Sequence, residues 1–423
     1  MITQPGKQRA DPFRWVMLLF FAAVNMPWQA MWIGYAPILT AAKGYYGVGD
    51  IQISGFSLLF AAAFIALMWP SLRAIERYGL HFIVGASSLV SATGGVIRGL
   101  SGNNYTLAMV STVLISTAEA PLILSWVVLP VRWFEVEQRA TAMSLVIVST
   151  FAGMALGMIA TPVLIQTNSI GDVQLLYGGI TLLASILFCL LARDRPHAGA
   201  DPVARPFLGT RDSVRHLVRQ PRFLFFLAML FFIMGIFFSI NTLIEEVATF
   251  ADKGAKAGLV GAVLLVGASM GGVTMSAISD IVRRRVPFLS AGAFVLGCSL
   301  WGLNHPQISD MPWIHLSAFV FGYSTGSLIP IGLQYAAEVG FPASPLVSGA
   351  LALFVAEFSV SWVYLLAEWQ AHTQDLGAAL SFMMIASFAT ALGGLLLREP
   401  DQPVGIGAST RTPPALPRQA PRV

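Results

Sequence analysis

RDRPHAGADPVARPFLGTRDSVRHLVRQPR, residues 193–222, carries seven arginines and four prolines, too polar to cross a bilayer and too often interrupted to form one continuous helix. The chain on both sides of it has the opposite character. Apolar runs of crossing length lie near 14–37, 54–72, 81–100, 105–131, 141–166 and 173–192 before it, and near 222–245, 257–279, 287–304, 312–335, 345–369 and 377–397 after it. A helical crossing takes about 20 residues, so the polar seam separates two sets of six spans. Glycine or proline interrupts the runs, which membrane helices tolerate because neighbouring segments satisfy the freed backbone groups.

Composition supports this division. Of 423 residues, 56% are apolar and only 11% charged, against roughly 25% charged in a soluble domain. Single cores stop growing near ~250–300 residues and keep a charged skin, which this chain lacks, so its outer surface must face lipid. An ordinary soluble enzyme is excluded. The net charge of +4 is too small to indicate a nucleic-acid partner. Cys189 and Cys298 each fall inside an apolar run and read as small buried hydrophobes, which excludes a disulfide framework. MITQPGKQRADPFR (1–14) has basic residues before an apolar run without a small-residue cleavage site, and reads as a cytoplasmic lead-in.

The charges also orient the chain. Of the 25 basic residues, 21 fall on the side that holds both ends and the central linker, leaving Lys43, Arg98, Lys253 and Lys256 for the other. The positive-inside rule places both termini and the linker in the cytoplasm, with the chain multi-pass in the plasma (inner) membrane. The expected organisation is a lead at 1–13, a six-helix bundle at 14–192, a linker at 193–221, a second bundle at 222–397 and a Pro-rich disordered tail at 398–423. SLRAIERYGL (71–80) and SAISDIVRRRV (276–286) both place an acid before basic residues at the end of an apolar span, as expected of duplicated six-helix halves.

Several side chains stand out within the spans. Asn25, Trp28, Trp32 and Tyr35 follow one another at helical spacing along one face of the first span, a pattern that serves either packing or a cavity wall. Glu119 and Glu357 sit near the middle of the fourth and eleventh spans, where a carboxylate costs a few kcal/mol unless it is protonated, paired or wet. They mark a functional site, or else serve as protonated acids bonded between helices. Glu245 and Glu246 close the seventh span and read as a solvated face, while Arg98 reads as a snorkelling cation without chemistry. GASMGG (267–272) has no Lys-Ser/Thr after it and lies inside an apolar span, so it reads as helix packing. The six histidines form no pair at metal-ligand spacing, and no cofactor is called for.

Glu76, Arg77 and Gly79 in the loop between spans two and three resemble the glycine-acid-base pattern of the major facilitator superfamily, with Leu72 in place of its leading glycine. WIGY (32–35), YYGV (45–48), ERYGL (76–80), VRWF (131–134) and IPIGLQYAAEVGFPASPLVSG (329–349) are more specifically similar to the feline leukaemia virus subgroup C receptor-related family, over about residues 28–397. That family includes choline and ethanolamine transporters, with haem export also proposed. The resemblance implies an aromatic cage for a cationic head group. Its helix-one tryptophan maps to Trp32, its helix-seven tyrosine to Phe238 and its helix-five glutamine to Phe151. The glutamines of helices eleven and four become Glu357 and Glu119, which favours an amine-bearing cation over choline itself. Loop residues Glu76, Arg77 and Gly79 take the gating role.

The expected architecture is therefore an all-α membrane protein of twelve transmembrane helices in two pseudo-symmetric six-helix halves. Its expected activity is secondary active or facilitative transport of a small organic solute by alternating access, with a proton as the coupled ion and a monomer as the working unit. Export of a metabolite, a siderophore-like compound or haem is the alternative within transport, and a non-transporting membrane receptor the alternative outside it. No nucleophile and base converge in the sequence, so an enzyme is not expected.

Overall fold

The computed structural model describes residues 12–134, 136–193, 208–251, 256–305, 311–373 and 375–399. Most of the expected lead, linker and tail lies outside them. Twelve helical stretches are long and apolar enough to cross a membrane, six on each side of the linker. The first half holds Phe13–Tyr46, Ile51–Ile75, Leu80–Leu100, Tyr105–Pro130, Ala142–Leu164 and Ile170–Leu191. The second holds Pro221–Thr242, Ala257–Val282, Val286–Leu303, Pro312–Val339, Pro345–Gln370 and Leu376–Gly394. They are called spans one to twelve below.

Three spans are broken, and the breaks carry the polar residues. Span one runs as a helix over Phe13–Ile33, passes through a 3-10 turn at Ala36–Ile38 and resumes over Leu39–Tyr46. It outlasts the expected end at residue 37 because Pro37 bends the helix without ending the apolar run, and Tyr35 then stacks on Phe56 and shares a 2.8 Å hydrogen bond with Tyr46. Span four divides into Tyr105–Ser116 and Glu119–Trp133. Pro121 has no N–H to give the carbonyl four residues before it, so the helix restarts at the polar residue Glu119. Span eleven divides into Pro345–Phe358 and Ser361–Thr373, one residue beyond Glu357.

Inside the second half, spans eight and ten pack backbone to backbone. A Cβ on Gly322 would collide with the Leu264 carbonyl oxygen, and one on Gly271 with that of Tyr323, so only glycine permits the approach. Gly267 and Gly271, from GASMGG, both lie in this seam. Between the halves, span five packs on span eight and span two on span eleven. At the end away from the linker, Gly258 rests on the Met158 carbonyl and the Thr40 N–H donates to the Glu245 carboxylate at 3.0 Å.

At the linker end, the short helix Thr210–Leu217 buries Ser213 and Leu217 against the second half. The Leu208 N–H donates to the Pro342 carbonyl at 3.2 Å, and the Ser344 N–H to Ser213 Oγ at 3.2 Å. Nearby, Arg285 forms ion pairs with Asp280 at 2.6 Å and Glu338 at 3.3 Å, while the Arg285 and Val286 N–H groups bond the Glu399 carboxylate.

Three expectations from the sequence need correction. Cys298 is exposed on the flank of its helix and is not a core residue, because an apolar run in a membrane protein has a lipid-facing side as well as an inner one. Arg98 does not snorkel. It is 1% exposed and turns inward, donating to the Met31 carbonyl at 2.8 Å and to the Gln174 side-chain oxygen, under the Tyr35 ring at 5.2 Å. Glu245 is half-buried and joins the two halves, so it is not part of a solvated face.

Candidate functional site

The main cavity lies between the halves, close to the breaks in spans four and eleven. Spans one, four and five line it from the first half, and spans seven, ten and eleven from the second. It encloses about 700 Å³, its open mouth included. Trp32, Phe151, Phe238, Glu119 and Glu357, the five residues expected at a substrate site, all reach it.

Each side chain arrives there for a local reason. Pro27 sits inside the first helix, and Trp32 lies in the final turn before that helix ends, its ring edge-on to Phe60 at 6.4 Å and to Phe238 of the opposite half at 6.3 Å. Phe238 stands against Phe237 at 5.6 Å, and Phe237 against Phe151 at 6.2 Å. The result is a wall of edge-to-face rings that crosses from one half to the other. Asn25 and Trp28 face elsewhere: Asn25 donates to Ser149 and Thr150 in span five, and the Trp28 indole donates to Ser91 in span three at 2.9 Å. Only Trp32 of that stripe belongs to the main cavity.

Glu119 and Glu357 are 5% and 8% exposed, which leaves their charge almost wholly to the cavity. They come from opposite halves, and the helices that carry them, Glu119–Trp133 and Pro345–Phe358, pack on each other beside the cavity that both acids line. Glu119 Oε2 has no hydrogen-bond partner among the described residues, nor has the buried Trp126 indole nitrogen. Among the described residues, no lysine, arginine or histidine lines the cavity. Its remaining polar lining is Gln29 and Thr150, the latter already accepting from Asn25.

Gln29, Trp126 and Phe237 also line this cavity, and the sequence did not single them out. Gln29 and Trp126 carry a usable signal, since each is a polar-tipped side chain deep in an apolar span, Gln29 one turn before Trp32 and Trp126 two turns after Glu119. Phe237 carries none, being one phenylalanine among many.

The expected gating residues are far from this cavity. Gly79 takes φ +91° where span two turns into span three, a conformation that glycine adopts without strain. Arg77 is exposed, its guanidinium 5.2 Å from the Tyr78 ring. The Glu76 side chain lies outside the described residues.

Residues 16–354 match the family model described as Major Facilitator Superfamily. The chain belongs to that superfamily. This facilitator is thus a multi-pass membrane transporter and not an enzyme. It is distantly related to the choline/ethanolamine transporter FLVCR2 of Rattus norvegicus, 23% identical over 80% of this chain and 66% of that one. FLVCR1 of Felis catus, also described as a choline/ethanolamine transporter, is 23% identical over 80% of this chain and 64% of that one. This facilitator therefore spans just under two thirds of the length of either relative. A solved bacterial homologue of the human lysosomal transporter Spinster, described as inward-facing and unoccupied, superimposes with a TM-score of 0.62 at 14% identity, covering 92% of this chain and 96% of that one. That likeness establishes the fold. It agrees with the twelve spans read from the sequence.

Proposed function

We propose that this transporter moves a small, amine-bearing organic cation across the plasma (inner) membrane by alternating access, with the linker and both termini in the cytoplasm. The observation that carries the reading is the cavity lining: aromatic rings from both halves and two carboxyls, with no basic side chain among them. Ring faces hold a cation by cation–π attraction worth ~0.5–2 kcal/mol, and a carboxylate in a poorly hydrated cavity attracts it more strongly than in water. The relatives described as choline/ethanolamine transporters support the same solute class.

The halves rock about this cavity. Two contacts between the halves, Thr40 with Glu245 and Gly258 with Met158, stand at the end away from the linker, which supports a site that opens toward the linker end. Arg77, exposed at that end, acts with Glu76 and Gly79 as the latch that closes it when the site faces outward. One chain supplies the whole cavity, and a monomer suffices. The test is counterflow into proteoliposomes preloaded with primary amines, quaternary amines, amino acids or haem. Amines should exchange and the others should not, and exchange of amino acids or haem in preference to amines overturns the reading.

A further inference from the structure

Charge accounting in the cavity leads beyond a single cation. Glu119 and Glu357 are two separate acids on opposite halves, both more than nine-tenths buried, and neither has an ion-pair partner among the described residues. Among the described residues, no other Asp, Glu, Lys, Arg, His or Tyr lines the cavity with them. Arg98, the buried cation of the same half, is committed to Met31 and Gln174 and does not line the cavity. With both acids ionised, a single ammonium ion would leave one negative charge in a cavity walled by Trp32, Phe151, Phe237 and Phe238. Closing both halves around that uncompensated charge costs several kcal/mol, whereas two positive charges leave the loaded cavity neutral.

We infer that the cavity carries a doubly positive load: a short α,ω-diamine in its diprotonated form, exchanged for two protons. This rests on the amine-transport reading and specifies its substrate. On loading from one face, both carboxyl O–H bonds break, both protons leave to that face, and each ammonium group donates N–H bonds to one carboxylate. On the other face the diamine departs and two protons return. Both carboxyls line one cavity and their helices pack on each other across the halves, so the chain between the amines is short. Trp32 and Phe238 cover the methylene segment, and the loaded and proton-returned carriers bear the same charge.

Proteoliposomes with wild-type protein, Glu119→Gln and Glu357→Gln test this, using 1,3-diaminopropane and 1,4-diaminobutane against propylamine and butylamine. Wild-type exchange should prefer the diamines, respond to an imposed pH gradient and ignore an imposed membrane potential. Each single variant should lower the diamine-to-monoamine ratio by roughly thirtyfold or more, the loss typical of removing one partner of a buried charge pair. Residual monoamine exchange by the variants shows that they are folded. If they show none, the wild-type potential and pH-gradient measurements decide alone. Monoamines preferred by the wild type, or diamine exchange that follows the membrane potential, overturns the doubly positive load but leaves amine transport standing. Failure of every amine to exchange overturns both.

Discussion

Glu338 and Glu119 are almost equally buried, at 6% and 5% exposed, yet the fold treats them in opposite ways. Around Glu338 the positive charge is supplied by the chain itself: Arg285 pairs with it and with Asp280, and Gln334 donates to it at 2.8 Å. Around Glu119 and Glu357 none is supplied. A carboxylate neutralised from within is structural, and losing its partner leaves a buried charge uncompensated. On the transport reading proposed above, a buried carboxylate to which the chain supplies no cation receives one from outside. Burial alone would not separate the two kinds of acid, but the inventory of partners does.

The strongest way to break this contrast is to remove Arg285. Arg285→Met leaves Glu338 buried without its cation and should destabilise the protein by ~3–5 kcal/mol, read as a lowered thermal midpoint in detergent. Glu119→Gln and Glu357→Gln should leave that midpoint unchanged or raise it. A midpoint lowered as far by the cavity variants as by Arg285→Met would place all these acids in one structural class.

Arg98 sharpens the comparison from the cationic side, since its partners are a carbonyl and an amide and include no carboxylate. Arg98→Leu removes an expensive buried charge along with its hydrogen bonds, leaving the Met31 carbonyl and Gln174 unpaired. The net destabilisation should be ~1–3 kcal/mol, below that of Arg285→Met in the same unfolding measurement.

Trp32 asks how much of cation recognition lies in rings and how much in charge. Trp32→Ala should weaken half-saturation for every amine by ~0.5–2 kcal/mol, up to roughly thirtyfold, without changing the pH dependence of uptake. An altered pH profile would mean that the ring positions the acids and does not hold the cation.

Glu245 represents a third arrangement, a half-buried acid that bonds a backbone N–H across the interface. Glu245→Ala should shift the balance between the two faces by only ~0–1 kcal/mol, seen as a few-fold change in turnover at constant affinity. Loss of transport would promote this contact from a bias to a requirement.

The fold was legible because apolar length and the placement of arginine are one-dimensional properties. A lipid-facing helix must be long and apolar wherever it packs, and six runs on each side of 193–222 needed no partner to be recognised. Glu119 and Glu357 were legible for the same reason, being costly at midspan in any packing. Arg98 was misread because its cost depends on direction: the same residue near a span end can reach outward to water or inward to Gln174, and only the neighbouring helices decide. The stripe Asn25–Trp28–Trp32–Tyr35 left a similar choice open between packing and cavity wall. Helical spacing places residues on one side of a cylinder, but that side is wide enough for Trp28 to meet span three while Trp32 meets the opposite half.

The glycine seam between spans eight and ten has a mechanical consequence. With carbonyls of one backbone lodged where the other has no side chains, the two spans cannot slide or roll past each other without collision. They behave as one beam. Span eight touches span five at the far end, and span ten runs through Ile329 and Leu333 at the cavity to Glu338 beside Arg285 near the linker. Any tilt imposed where the halves meet is therefore carried along the beam, past the cavity, to the charged cluster at its other end.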